Sequence, residues 1–567
     1  MSTRAFLRER VPWGYQPGTM PSGASFAYVF GTVLVWLLAL EALTGIALAT
    51  FYSPSSTDAW ASVAYIQDRA SLGWLVRGLH HHGGSAIVIV AGIHLLQTAV
   101  AGAYHKPREV IWWLGVVLLA LVLGTAISGY WLRWDQQAYW AAQVEVGIAA
   151  GGPVLGDVIR GLAFGGNEAG NLTLTRAYAM HALLLPGVIA LITVVHIALA
   201  RRHGPTLLRR AKAAVPRWPQ QTVRDVIAVA IVFVMLLAFT ISQDGVELGA
   251  PADPTTAYDA RPLWPMRWLF ELRALAGGAE QLVAMLAPFV VGGFLLALPL
   301  LDRGPDRSVK VRKAWLGALA GVFALIGALT VMSFARDAND GALAERRAKA
   351  EARATQARKL AATYGVPVTG ARDVFQTPPM ARARKLFATR CEGCHGADSE
   401  DRKGPVIAPG HGDRKWLTSF LHAPSGDEFW GRTKLAKAEA AMKPVELAAP
   451  DLADLVEMLY AESGATDVDA VKRERGLAVF EAACTDCHAR EEGMPGSSGP
   501  GLGGLNSRAY YLSFISNPKS AFHMGTDKSQ MPRFDGELTL ADRDALAEYL
   551  VWLRTATPAD LAKLPDP

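Results

Sequence analysis

The sequence predicts an all-α protein: a bundle of seven transmembrane helices followed by two small α-helical domains outside the bilayer. Three observations carry this reading. Seven apolar runs, over residues 26–51, 75–102, 110–131, 178–200, 224–243, 281–301 and 313–334, each approach the ~20 residues that a helix needs to cross a bilayer. The 567-residue chain is 51% hydrophobic and 19% charged with a mean hydropathy of +0.19, more apolar than a chain that meets water on every side. From about residue 380 the composition turns polar and a pattern of roughly 90 residues recurs.

Orientation follows from the basic residues that flank the runs. Arg4, Arg8 and Arg10 precede the first, Lys106 and Arg108 separate the second from the third, and Arg201, Arg202, Arg209, Arg210, Lys212, Arg217 and Arg224 separate the fourth from the fifth. Arg303, Arg307, Arg312 and the lysines Lys310 and Lys313 lie between the sixth and seventh. All four clusters belong on the cytoplasmic side, so seven crossings deliver everything after about residue 335 to the opposite side. In a bacterium that is the inner membrane, with the C-terminal part in the periplasm. The first span lacks a convincing cleavage site and serves as the insertion signal. The net charge of +5 is small and its lysines and arginines fall in short clusters, which argues against nucleic acid as a partner.

Residues 336–380 are polar, and Leu343 to Ala362 is rich in Ala, Arg, Lys and Glu, which reads as a solvated helical tether. Beyond it, Cys391-Glu392-Gly393-Cys394-His395, Gly404-Pro405, Arg414-Lys415-Trp416, Pro424 and Met442 recur as Cys484-Thr485-Asp486-Cys487-His488, Gly499-Pro500, Arg508-Ala509-Tyr510, Pro518 and Met531. Each unit closes on an apolar helical pattern, Leu452 to Tyr460 and Ala541 to Leu553. The expected division is a four-helix bundle over 1–215, a three-helix part over 216–335, the tether over 336–380, and two small domains over 381–465 and 466–567.

All four cysteines lie in the two Cys-x-x-Cys-His strings, which leaves no thiol for a disulfide, a zinc site or an iron–sulfur cluster. Two thiols at this spacing can add to the two vinyl groups of one haem while the adjacent histidine, His395 or His488, supplies an axial nitrogen. A thioether on the other side of the iron raises the reduction potential. Met442 and Met531 stand 51 and 47 residues after the first Cys of their strings, at equivalent places in the repeat, and are the expected sixth ligands. Met524 and His523 compete with Met531; Met458, on the closing helix, competes less well with Met442. This half of the chain resembles a tandem of class I cytochromes c.

Within the second apolar run His80 and His94 are 14 residues apart, and within the fourth His181 and His196 are 15 apart. At ~1.5 Å and 100° per residue each pair shares one helix face, about 21 Å apart along the axis. Two such helices facing each other can hold two haems stacked across the membrane, each iron gripped by one histidine from each helix. Gly31 and Gly45 in the first run and Gly115 and Gly129 in the third are also 14 apart, which clears room for flat porphyrins at both depths. Both histidine-bearing runs point from outside to inside, so His80 pairs with His181 near the outer face and His94 with His196 near the inner face. His81 and His82 stand at the same outer end and leave that choice open. Arg77, one turn before His80, suits a haem propionate or an interfacial anchor. Glu41 lies inside the first run, where it is protonated, part of a proton path or bonded to a neighbouring helix.

The strings Trp74-Leu75-Val76-Arg77-Gly78-Leu79-His80, Lys106-Pro107-Arg108-Glu109, Gly129-Tyr130-Trp131-Leu132-Arg133-Trp134-Asp135-Gln136 and Thr173-Leu174-Thr175-Arg176 resemble cytochrome b of the Rieske/cytochrome b complexes. The 15-residue spacing is similar to the plastid-type b/f branch. The resemblance covers residues 1 to about 335 and implies a membrane quinol:cytochrome c oxidoreductase of respiratory or photosynthetic electron transport. It further implies an outer quinol-oxidising site, an inner quinone-reducing site, a separate Rieske iron–sulfur protein, a soluble cytochrome c or terminal oxidase as acceptor, and a homodimer within membrane lipid. The family's glutamate in Pro-Glu-Trp-Tyr is absent: this chain reads Pro262-Leu263-Trp264-Pro265, with Asp259 and Glu271 near in sequence as substitutes. Arg133 replaces the family's proline before Trp134. Arg224-Asp225 opens the fifth run as the family's basic–acidic pair does, with Asp225 placed to protonate reduced quinone. The extra haem of the plastid-type branch needs a cysteine in the first run, and none stands there. Two other readings fit the departures: a linear, non-bifurcating electron-transfer module, and a relay subunit without quinone chemistry of its own.

Overall fold

The computed structural model describes residues 19–20, 23–151, 156–204, 206, 215–304, 306–437, 441–491, 493–525 and 529–565. Arg4, Arg8, Arg10, Arg209, Arg210 and Lys212 lie outside the described residues. The chain forms two compact units, Met1–Val374 and Phe375–Pro567.

The first unit contains α1 (Phe30–Ala49), α2 (Ala59–Asp68), α3 (Gly73–Val100), α4 (Glu109–Trp131), α5 (Gln136–Ala149), α6 (Asn171–His203), α7 (Gln220–Ser242), α8 (Arg267–Leu275), α9 (Gly277–Leu301) and α10 (Lys313–Asn339). Seven of these, α1, α3, α4, α6, α7, α9 and α10, are long and apolar enough to cross a membrane, as the sequence predicts. Leu43, Leu183, Leu191, Val194, Phe289 and Val290 face outward and exposed, the inverse of a water-soluble protein and the expected face toward lipid. Inside the unit α1 packs along α3 and α4 along α6, while α7 closes against α1 and α3. A second cluster of Leu95, Tyr104, Trp112, Leu295, Leu298 and Leu319 joins α3 and α4 to α9 and α10. Arg312, counted by sequence among the cytoplasmic charges, is wholly buried. It donates to the carbonyls of Ala99 (2.8 Å) and Val100 (2.5 Å) at the C-terminal end of α3, where a cation meets the helix dipole.

The tether is a helix exposed along most of its length, with a few residues packed against the first unit. It forms α11 (Gly341–Tyr364), which buries Leu343, Ala354 and Ala357. Arg358 donates to Asp68 of α2 through Nε at 2.9 Å, Arg347 pairs with Asp337 at 2.7 Å, and Arg346 pairs with Asp259. The small Ala354 and Ala357, three apart on one face, permit close packing, and the arginines meet carboxylates that the sequence reading left solvated.

The second unit contains α12 (Pro379–Arg390), α13 (Arg414–His422), α14 (Ala449–Glu462), α15 (Ala470–Ala483), α16 (Arg508–Ser516) and α17 (Leu540–Leu553). The helix that opens each repeat packs on the helix that closes the other one: α12 lies against α17, and α15 against α14. The ranges 381–465 and 466–567 therefore do not each hold their own helix pair. The physical reason is the connection: α14 and α15 are joined by residues 463–469 alone, and helices joined so closely become neighbours.

The docking of α11 is open to a direct check. Arg358→Glu sets like charges together at Asp68 and is expected to raise deuterium uptake across residues 341–364 with the b-type absorbance unchanged; uptake equal to wild type would contradict the docked helix.

Candidate haem and quinone sites

The N-terminal halves of α3 and α6 bring His80 and His181 together, ring centres 5.9 Å apart and planes at 82°. Two imidazoles that bind one iron from opposite sides stand about 6 Å apart, given metal–nitrogen bonds of ~2 Å. The Nδ1 atoms are already engaged: His80 Nδ1 lies 3.0 Å from Thr44 Oγ1 and 3.2 Å from Glu41 Oε2, and His181 Nδ1 lies 2.9 Å from the Thr125 carbonyl. Each ring thus keeps Nε2 for a metal, with its orientation fixed from behind. His82 turns away to the Gly245 carbonyl (3.0 Å), while the His80 ring is the one that meets His181. Glu41 proves to be a partner of His80; its other oxygen abuts Gly83, where a Cβ would lie 2.1 Å away.

Toward the other end of α3, His94 Nδ1 is held by Gln97 Oε1 (3.2 Å), and Gln97 Nε2 in turn donates to the Ala27 carbonyl (2.6 Å). The glycines sit where the sequence places them. A Cβ on Gly45 would stand 3.1 Å from His80 Cε1, on Gly129 2.4 Å from His181 Cε1, on Gly115 3.4 Å from His196 Cε1 and on Gly31 4.0 Å from His94 Cε1. The residues present therefore fit flat tetrapyrroles held between imidazole pairs.

The unequal spacings, 14 and 15, have a local cause that the sequence did not show. Residues Ala179–Leu184 of α6 form a π-helical turn with His181 in it. Such a turn absorbs one extra residue and returns His196 to the face that His181 occupies.

Arg77 is buried and donates to Gln67 Oε1 (2.6 Å) and to the carbonyls of Val246 (2.7 Å) and Glu247 (3.1 Å). It fastens the loop after α7, so the propionate role expected of it gives way to a structural one. Asp225 is buried and accepts from Arg217 Nη2 and Gln221 Nε2, both at 2.9 Å. Its carboxylate is thus fixed by two donors in the first turns of α7.

The two substitute acids of the outer site are both ion-paired. Asp259 pairs with Arg346; Glu271, 1% exposed, accepts from Arg336 at 2.6 Å through Oε1, and its Oε2 is buried without a partner. A third carboxylate, missed in the sequence, is Glu145 on α5. Its Oε2 accepts from Trp131 Nε1 at 2.7 Å, and its Oε1 is shielded from solvent without a partner. Desolvation pushes its pKa up to about 7, only partly offset by the Trp131 hydrogen bond. Nothing in the local sequence Gln143-Val144-Glu145 marks it, because its setting is made by α4.

In the second unit His395 Nδ1 and His488 Nδ1 lie 2.8 Å from the carbonyls of Pro405 and Pro500. A Cβ on Gly404 or Gly499 would stand 2.4 or 2.5 Å from the Cε1 of these rings. Burial lowers the His395 pKa, partly offset by its hydrogen bond to Pro405. These too are fixed imidazoles with Nε2 free beside paired thiols, the donor set of a covalent haem. His523 is spent elsewhere, its Nε2 lying 2.9 Å from Ser513 Oγ, and Met458 is packed in the core on α14.

The glycine gap is a testable feature. Gly129→Val drives a side chain into the His181 ring and is expected to lower the non-covalent haem recovered per covalent haem; an unchanged ratio would contradict the site.

Comparison with known proteins accords with this geometry. The family described as cytochrome b/b6/petB matches residues 16–204, and the one described as cytochrome c oxidase, cbb3-type, subunit III matches residues 472–550. The chain is 35% identical over 185 residues to cytochrome b6 of Rippkaea orientalis, which spans 33% of this chain and 83% of that protein. It is 32% identical over 330 residues to cytochrome b of Allochromatium vinosum (53% and 79%), and 32% identical over 324 residues to cytochrome b/c1 of Bradyrhizobium diazoefficiens (54% and 46%). A solved structure described as a hyperthermophilic respiratory complex III shares the fold, with a TM-score of 0.50 and 24% identity over 59% of this chain and 89% of that one. The chain belongs to the cytochrome b/b6 family of membrane electron-transport oxidoreductases through its N-terminal bundle, to which it joins a C-terminal cytochrome c domain.

Proposed function

We propose that the chain is the redox core of a quinol:cytochrome c oxidoreductase in a bacterial inner membrane, its cytochrome c part on the periplasmic side. The observation that carries this reading is the His80–His181 pair: rings 5.9 Å apart in the bundle, backs tied and a glycine beside each. Two such pairs suit two non-covalent haems b, and the two Cys-x-x-Cys-His strings suit two covalent haems c. When bound, these groups supply one-electron transfer, which the side chains cannot do themselves. All four cysteines lie in those strings, so the Rieske iron–sulfur centre comes from a partner subunit. A soluble cytochrome c or a terminal oxidase takes the electrons from the c part, and the unit is a homodimer set in lipid.

The chain's own chemistry is proton handling. Quinol gives up two electrons and two protons, so the outer pocket needs a base. Leu263 cannot serve, and Asp259 and Glu271 are committed to arginines. Glu271 Oε2 and Glu145 Oε1 are both buried without a partner, but Glu271 lies on the Arg336 guanidinium while Glu145 has only the Trp131 N–H, and we assign Glu145 the proton acceptor's role. At the inner face we assign Asp225 the protonation of reduced quinone: its pairing with Arg217, whose side chain is half exposed, opens for the carboxylate to take up the proton that it passes on.

Leu263 favours one rival, a linear path in which all electrons go to the c haems. The relay reading differs from both in one respect: quinol added to the anaerobic complex leaves its b haems oxidised. The proposed function predicts that they are reduced. An acceptor with a pKa near 7 must be deprotonated to work, so the oxidation rate is expected to rise with pH through about 7. Glu145→Gln is expected to slow quinol oxidation by roughly 10²-fold and to flatten that limb; an unaltered profile would remove Glu145 from the mechanism.

A further inference from the structure

We propose that the two covalent haems are built across the repeats: His395 shares its iron with Met531, and His488 shares its iron with Met442. Each string thus takes its thioether from the other repeat. This rests on the covalent haems assigned to the two strings and is independent of the quinone chemistry.

The helix crossings show the exchange. Eight residues before the first Cys of each string stand Ala383 and Gly476, and four before it stand Phe387 and Phe480. These are the positions at which an opening helix crosses a closing helix. Ala383 lies in a core with Tyr549, Leu550 and Leu553 of α17, and the Phe387 ring stands 5.8 Å from that of Tyr549. Arg382 pairs with Asp542 at 2.5 Å, and Gly410 N donates to the Leu553 carbonyl at 2.7 Å. In the other crossing Gly476 presses on α14 so closely that a Cβ would stand 2.0 Å from the Asp454 carbonyl oxygen. Arg475 donates to Asp454 at 2.6 Å, and Gly504 N to Glu462 at 2.9 Å.

The methionines follow the closing helices. Met531 packs on the core that holds Ala383, with Phe387 and Ile407, and Ile407 N donates to the His395 carbonyl at 3.0 Å. Met442 packs on the core of Leu417, Leu421, Leu455 and Phe480, together with Cys484 and Leu502. Each thioether therefore shares a core with the string of the opposite repeat. The chain crosses between the two cores at Gly410–Asp413 and again at Asn506–Ser507, where His411 and Tyr511 meet, ring centres 6.4 Å apart. Residues 413–506 form one core as a continuous segment, and the flanking stretches 375–412 and 507–565 form the other.

The test marks one haem and changes one methionine in the full-length complex. Cys391→Ala leaves one vinyl group of the first haem unreacted, which moves its α-band to longer wavelength, while the remaining thioether keeps it attached. In that background Met531→His is expected to make the marked haem unreducible by ascorbate, because histidine in place of a thioether lowers the potential. Met442→His is expected to do the same to the unmarked haem. The reverse assignment, Met442→His acting on the marked haem, would overturn the proposal. Should Met531→His block haem attachment, Cys484→Ala with Met442→His decides alone: loss of ascorbate reduction in the marked haem supports the exchange, and loss in the unmarked haem refutes it.

Discussion

An imidazole inside a lipid-embedded bundle has two ring nitrogens, and neither can be left facing hydrocarbon without cost. The first unit is organised around that constraint. Thr44 and Glu41 take the Nδ1 of His80, Gln97 that of His94 and the Thr125 carbonyl that of His181, which leaves their Nε2 atoms for a metal, while His196 Nδ1 is buried without a hydrogen-bond partner. The gap between α3 and α6 stays open because Gly45 and Gly129 line it, and the packing of α1 on α3 and α4 on α6 brings those glycines into place. Helix pairing, glycine spacing and tautomer are thus one arrangement seen at three scales.

Much of this was legible in the sequence because the bilayer makes periodicity unusually strict. Span length, histidine spacing and glycine spacing are all local patterns, and each matches a feature of the fold. What escaped depends on contacts between distant segments. The π turn at His181 changes the helix period without a breaker residue to announce it. The charges of α11 read as solvated because their carboxylate partners, Asp68 and Asp259, lie far away in sequence. Glu145 looks like an ordinary helix residue until Trp131 is set against it. The repeat shows that two similar units exist but not which opening helix meets which closing helix, and the short 463–469 connection was the available clue.

The crossing of the repeats ties the second unit together. Two independent domains joined by a linker could separate or be lost singly, whereas two cores that each contain both repeats stand or fall as one. Such a unit keeps its redox centres at fixed separation, and electron transfer between them does not wait on domain motion. The proposed quinol site shows a similar economy: we assign a carboxylate on α5 the part of the absent glutamate, while the acids nearest Leu263 in sequence dock α8, α10 and α11.

The claim on which the whole account turns is that quinol oxidation still sends its two electrons along two branches. The direct measurement uses the complex with its Rieske partner: supply quinol, block the inner quinone site, add an oxidant and follow the b-haem absorbance. The account predicts a transient further reduction of the b haems when the oxidant arrives, because drawing one electron to the c branch releases the second into the bundle. Reduction of the c haems with no such transient would contradict it and leave a linear path.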